Sequence, residues 1–359
     1  MNDDHRFGSS APLSLGVEEE LLLVGPDRHL TPVAARLAER LAAAHPGRVS
    51  TEVFAAQIEL KTGICACPDE ALAELTELRR AAGAEAVALL GSGLHPGDEG
   101  KADLVAKPRY ALVRDAFASL LDIPTSGLHV HVGMPDPETA IRVANALRRH
   151  LPLLEALAAN SPFRGGEDTG LASARAAVTR AYPRFEMPRE FRDFEQFREV
   201  ADQLIFAAGV EDYTFLWWDV RPHPRLGTVE VRGMDVQTGV EASVGLAALI
   251  QAIAAKEIAE PSGPGPLREA LEESSYQANR HGLAARLVAG DRRACPARVL
   301  AGAELDAARP YASELGGLEA LAAVERIVRE GNGADRQRAV HAERGMAGLL
   351  DDLVARSRP

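Results

Sequence analysis

The 359-residue sequence predicts an α+β fold: an antiparallel sheet with helices covering one side, and an α-rich C-terminal half. Three observations predict it. Apolar and functional residues alternate with a period of two around residues 14–24, 126–133 and 228–235. The stretches between them carry helical patterning with proline and glycine stops. From about residue 240 the pattern is helical, over roughly 240–260, 266–290, 297–310, 317–330 and 335–356.

The chain is 46% hydrophobic and 26% charged, which supports a large core. Residues 1–12 read as a polar N-terminal arm. Pro261–Pro266 is linker-like but short, so 13–359 is expected to form a single domain. A net charge of −12 argues against a nucleic-acid partner. No apolar run of about 18 residues is evident, so no membrane-spanning helix is expected. The N-terminus lacks the layout of a signal peptide. Cys65, Cys67 and Cys295 are an odd set that suits a reducing, cytoplasmic setting.

The first strand is expected over Ser14–Val24, where Glu18, Glu19 and Glu20 interrupt an apolar run. Alternation puts Glu18 and Glu20 on one face with Leu22 and Val24, and Glu19 on the other with Val17 and Leu21. Two parallel carboxylates on a buried strand repel unless a cation lies between them. A charged edge strand facing water is the plainer alternative. Thr31-Pro32 opens a helix that runs to about His45. Residues 50–62 look extended, and Glu52 and Glu59 can act together only if the chain turns near Ala55-Ala56. Asp69 is expected to cap a helix reaching about Leu90, and another helix covers roughly 108–120.

Ser126–Gly133 is the second alternating strand, with His129 and His131 on one face. They suit a metal or phosphate site, or a hydrogen-bonded histidine pair in the core. Asp136-Pro137 caps a helix that Pro152 is expected to kink or split. Asn160–Gly170 reads as a glycine-rich loop opening onto a helix with Ser173 and Arg175. Phe215–Arg221 and Thr228–Asp235 read as a hairpin with Glu230 and Arg232 on one face.

Together these groups form an oxygen-rich set with imidazoles and arginines. Carboxylates outnumber histidines, which favours Mg²⁺ or Mn²⁺ over Zn²⁺. Hard cations with arginines are the apparatus of phosphoryl transfer, although no Walker or kinase motif is present.

An ordered set of motifs now carries a resemblance. Leu15–Glu20, Gln57–Glu59, His95-Pro96, Arg109-Tyr110, Gly127–Gly133, Asn160–Phe163, Asp168–Gly170, Ser173–Arg175, Trp217–Pro222, Thr228–Arg232 and Gly333–Arg338 resemble the type 2 glutamate–cysteine ligase family, which includes bacterial carboxylate–amine ligases. The resemblance runs from about residue 13 to 350. It implies a glutamine synthetase-like catalytic domain over 13–359, a curved antiparallel funnel with helices on its outer side. It also implies ATP as cofactor and amide formation through an acyl phosphate, with L-glutamate and L-cysteine as default substrates.

By the same resemblance, Glu18, Glu20, Glu52, Glu59, His129 and Glu230 are the metal ligands. Glu18, His129 and Glu230 would hold one ion, and Glu20, Glu52 and Glu59 another. Arg175 and Arg232 would face phosphate as catalytic and ATP-binding groups, His131 would line the nucleotide side, and Arg221 would hold the substrate carboxylate. The implied partners are small molecules, with room for a homodimer or higher homo-oligomer. Arg164, Leu171, Arg184–Pro188 and Gly233 depart from the family pattern near expected substrate walls, so a specialised acid or amine is the alternative within the class. A metal-dependent amide hydrolase and a non-catalytic metabolite binder are the readings outside it.

Overall fold

Strand alternation at the three glutamate- and histidine-bearing stretches builds the centre of the molecule. The computed structural model describes residues 5–85, 87–98, 103–117, 122–289 and 293–359. Its strands are β1 (Leu15–Val24), β2 (Val49–Thr51), β3 (Gln57–Lys61), β4 (Ala88–Leu90), β5 (Gly127–Gly133), β6 (Phe163–Arg164), β7 (Glu167–Asp168), β8 (Val220–His223), β9 (Thr228–Asp235), β10 (Arg286–Val288) and β11 (Ala294–Pro296). Among the described residues the main sheet runs β2-β3-β1-β5-β9-β8, with β4 also on β1, and every pairing is antiparallel.

The helices are α1 (Ala34–Leu41), α2 (Pro68–Gly83), α3 (Pro108–Phe117), α4 (Pro137–Ala158), α5 (Ala174–Thr179), α6 (Phe194–Ala208), α7 (Val240–Ala259), α8 (Arg268–His281), α9 (Ala297–Glu314), α10 (Leu318–Glu330) and α11 (Gly333–Ser357). Val17, Val130, Val132, Val229 and Val231 pack against α4, α7, α8 and α9 in one large core. Each such side chain contributes on the order of 2 kcal/mol on burial. Leu21, Leu23, Ile58 and Leu60 form a second core with α1 and α2. The opposite face carries Glu18 and Glu20 of β1, His129 and His131 of β5 and Glu230 of β9, while Leu22 and Val24 at its far end are covered by Leu349, Leu353 and Val354 of α11.

Several expectations are corrected here. The helix expected to reach Leu90 stops at Gly83, and Ala88–Leu90 forms β4 on β1 (residue 86 lies outside the described residues). Cross-strand pairing with Leu22–Val24 overrides the helical propensity of this alanine- and leucine-rich run. Its N-cap is Cys67, with Pro68 in the first turn, and not Asp69. α1 ends at Leu41, short of His45. Residues 118–120 of the third expected helix also lie outside the described residues.

Phe215–Asp219 is not strand. Phe215 closes a short 3₁₀ turn, Tyr213–Phe215, capped by Asp212, and β8 begins only at Val220. α4 runs through Pro152 as one element, held by packing on α7 and α8. The helix expected over 266–290 ends at His281, and β10 pairs with β11 beyond it. Within the Asn160–Gly170 loop, β6 and β7 form a small hairpin.

Phe7 of the N-terminal segment is buried in the main core, and residues 1–4 lie outside the described residues. α7 does reach the length and apolarity of a membrane-spanning helix, but 78% of its apolar window is buried inside the protein. It is the central core helix, surrounded by α2, α4, α9 and α10.

Candidate active site

Register brings the charged residues together. In an antiparallel pair, directly opposite side chains project from the same face. Glu18 lies opposite His129, Glu20 opposite Glu59, and Glu230 opposite both His131 and Arg221. The β2–β3 hairpin turns at Ala55-Ala56 and returns Glu52 to the face of Glu59. A cavity of about 360 Å³ results, lined by Glu18, Glu20, Glu52, Glu59, His129, His131, Arg175, Arg221, Glu230 and Arg232. These are all the residues singled out from the sequence.

The acidic end is tightly knit. One ligand atom each from Glu18, Glu59 and His129 lies within 4.8 Å of the others. This trio cuts across the sequence-based division of ligands between two ions. His129 Nδ1 is 3.4 Å from Glu18, its Nε2 is 3.7 Å from Glu20, and His131 Nε2 is 3.7 Å from Glu18. Burial alone would raise the Glu18 carboxyl, but hydrogen bonds to His129 and His131 outweigh it and hold the group well below its usual range. Glu52 goes the other way: burial, then the charges of Glu59, Glu20 and Glu18, push it well up. Glu20 accepts the Gly127 amide at 2.6 Å. Lys61 neutralises Glu59 at 2.7 Å, and Ser50 donates to the same oxygen.

Glu230 is held differently. Arg221 Nε donates to it at 2.7 Å, and Arg232 approaches at 3.5 Å. Burial raises this carboxyl, but the two guanidiniums more than compensate and keep it well below the ordinary range. Arg221 also donates to the carbonyls of Leu216, Tyr213 and Thr214. Its Nε and Nη1 thus serve Glu230 and the β8 entry.

Arg175 and Arg232 are the less committed cations. Arg175 is buried, yet among the described residues its guanidinium meets only the Gly233 and Arg232 carbonyls at 3.4 and 3.5 Å, and Asp235 at 3.9 Å. The buried Nε of each arginine has no hydrogen-bond partner among the described residues. Such spare donors suit an oxyanion that arrives with the substrate.

Three features position Arg175. Ser173 caps α5, and its hydroxyl donates to Asp235. Ser161 donates to the same carboxylate and accepts the Arg175 amide. Gly127 leaves room for the guanidinium, since a Cβ there would lie 2.6 Å from Arg175 Nη2. Asp235 was not singled out from the sequence, although it sits three residues beyond Arg232 in the same strand.

Gln57 was missed as a site residue too. It donates to Glu20 at 3.4 Å and lines the cavity. The other wall is aromatic, with Phe117, Tyr182, Phe185 and Trp217 in one cluster. Trp217 lies before β8 and not in the strand expected over Phe215–Arg221, and the wall draws on three separate segments of the chain.

The donor set fits a hard divalent cation: carboxylates dominate, three ligand atoms converge, and Glu52 is strained by its neighbours' charge.

Comparison with known proteins agrees with this architecture. The model of the glutamate-cysteine ligase family 2 matches residues 14–355. A putative glutamate–cysteine ligase 2-3 of Rubrobacter xylanophilus is 40% identical over 363 residues, covering 98% of each chain. A glutamate–cysteine ligase of Haloferax volcanii is 36% identical over 359 residues, covering 95% of this chain and 96% of that one. Among solved structures, the glutamate–cysteine ligase of Francisella tularensis in complex with AMP superposes with a TM-score of 0.73 at 13% identity, over 97% of this chain and 89% of that one. A bifunctional glutathione synthetase from Pasteurella multocida gives 0.71 at 14% identity, over 97% of this chain and 52% of that one. The chain belongs to the glutamate-cysteine ligase family 2, a family of carbon–nitrogen ligases.

Proposed function

We propose that this protein is an ATP-dependent carboxylate–amine ligase that works through an acyl phosphate, with L-glutamate and L-cysteine as the default pair. One observation carries the reading: a single cavity gathers five glutamates, two histidines and three arginines from five strands, one helix and a hairpin turn. Carboxylates for a hard cation and arginines with spare donors are what phosphoryl transfer to an acid requires.

Glu18, Glu20, Glu52, Glu59, His129 and Glu230 would hold Mg²⁺, with Glu18, Glu59 and His129 the most convergent set. Bound there, the metal would offset the charge of the nucleotide phosphates. In the first step a carboxylate oxygen of the acid attacks the γ-phosphorus, and the bond to ADP breaks. Arg175 and Arg232, whose Nε donors have no partner among the described residues, would stabilise the charge on the transferred group. In the second step the amine attacks the acyl carbon, phosphate leaves, and the nitrogen loses a proton. His131, 3.7 Å from Glu18 and bonded to Thr228, lines the phosphate side.

The test is ADP release across acid–amine pairs with Mg²⁺ and ATP, with mass detection of the amide. Release that needs both substrates is the expected result. Absence of ADP with every pair, glutamate plus cysteine included, would overturn the proposal, and amide cleavage without ATP would point to a hydrolase.

A further inference from the structure

The aromatic wall of the cavity does nothing in the chemistry above. Phe117 stacks on Tyr182 with ring centroids 4.8 Å apart, and Phe185 stacks on Trp217 at 5.6 Å. Phe117 and Trp217 join the two pairs at 5.2 Å. The wall adjoins the reacting centre, because the Arg232 guanidinium lies 5.7 Å from the Phe185 ring centroid. A group extending from the arginines away from the carboxylates therefore meets aromatic faces.

A second observation is independent of the first. The Tyr182 hydroxyl is buried and has no hydrogen-bond partner among the described residues. Burial pushes this phenol up to about 12, so it stays a neutral donor. A buried hydroxyl without a partner is costly, and it marks a place where a ligand acceptor would be welcome. The segment that carries it, continuing into Arg184 and Phe185, holds a further outlier: Arg184 has φ +66°, a conformation rare outside glycine. In that conformation Arg184 lies over the Trp217 ring at 5.1 Å and donates to the Phe215 carbonyl. The strain thus goes into buttressing the wall.

We infer that this wall is a side-chain pocket for a ring-sized, largely apolar group that carries one hydrogen-bond acceptor, on one of the two substrates, with Tyr182 donating to that acceptor. A cysteine side chain would cover little of a wall built from four aromatic side chains and would offer the Tyr182 hydroxyl only a weak thiol acceptor. The inference rests on the ligase reading and names the class of substrate for the same site.

The experiment is a matrix of acids (glutamate, aspartate, phenylalanine, phenylacetate) against amines (hydroxylamine, cysteine, leucine, phenylalanine, tyramine), read as ADP release. Hydroxylamine is small enough to trap an activated acid whatever the amine pocket prefers. A ring-bearing partner is expected to exceed its small analogue by about tenfold or more in kcat/KM. Whether the ring sits on the acid or on the amine identifies which substrate uses the wall. Trp217→Ala should lower the ratio of ring-bearing to small substrate by about tenfold.

Because Trp217 is also a packing residue, Tyr182→Phe provides a second arm. It removes only the unpartnered hydroxyl, so the fold should hold, and KM for a ring substrate that carries an acceptor, such as tyramine, should rise by about tenfold while KM for phenylalanine stays unchanged. A clear preference for cysteine over leucine, phenylalanine and tyramine, with no ring-bearing acid used, would overturn the inference and leave the ligase reading standing. So would variants that change only KM for ATP, since the wall would then hold the nucleotide base. No ADP with any pair, hydroxylamine included, would overturn both.

Discussion

Glu19 and Arg79 form a two-point ion pair with both side chains fully buried, on the face of β1 opposite Glu18 and Glu20. Both bonds are 2.7 Å. Ser243 of α7 donates to the same carboxylate, and Arg79 also donates to the carbonyls of Gln237, Thr238 and Ser357. The pair ties β1, α2, α7 and the end of α11 together beneath the cavity. Arg79→Met would leave a buried carboxylate without its cation, at a cost of about 3–5 kcal/mol. Urea denaturation of the variant should show that loss, and an unchanged midpoint would refute it.

Gly127 is where β5 lets Arg175 approach, and a methyl group there would collide with the guanidinium. Gly127→Ala should keep the fold, because glycine at this position is extended strand and not a left-handed turn. Displacing Arg175 by about 1 Å should reduce kcat by about a hundredfold. Steady-state kinetics beside a circular dichroism spectrum checks this, and activity near wild type would show that Arg175 is not used in transfer.

Glu20→Gln tests the acidic end. The swap keeps volume, and the Gly127 amide can still donate to the new side-chain oxygen. Turnover should drop by about a hundredfold or more if the carboxylate binds the metal. Mn²⁺ binding followed by electron paramagnetic resonance should weaken in parallel. Retained activity and retained Mn²⁺ affinity together would remove Glu20 from the ligand set.

A pH effect should come from behind the cavity. Burial, then the charge of Asp219, pushes the Glu155 carboxyl up to about 7, against the pull of Arg180. Its folded value lies above its unfolded value of 4.5, so the folded state binds the extra proton. The resulting stability is present below about pH 4.5 and is lost as pH rises through about 7. The change is at most about 3 kcal/mol. Glu155→Gln should flatten the stability profile across that window, and an unaltered slope in denaturation midpoints from pH 5 to 8 would refute the assignment.

The alternation of β1, β5 and β9 was legible because a period of two sorts side chains by face whatever the strand pairs with. That was enough to gather Glu18, Glu20, His129, His131, Glu230 and Arg232 into one group. Local propensity failed where pairing overruled it, as at Ala88–Leu90, and where a capped turn took residues from an expected strand, as Asp212 does in starting the 3₁₀ turn that includes Phe215. Arg221 was legible as a site residue, but its bond to Glu230 was not, since that pairing is set by the β8–β9 register.

The sequence by itself determined the alternating strands, the chemistry they carry and the family. Only the tertiary structure decided which carboxylates converge, that Glu19 is a buried structural ion and not a surface charge, and that an aromatic wall faces the acidic end. Those outcomes depend on register and on contacts between distant segments, such as Ser243 and Glu19, 224 residues apart. No local pattern encodes them, because long-range pairing is selected by total burial and hydrogen-bond satisfaction and not by the residues of one element alone.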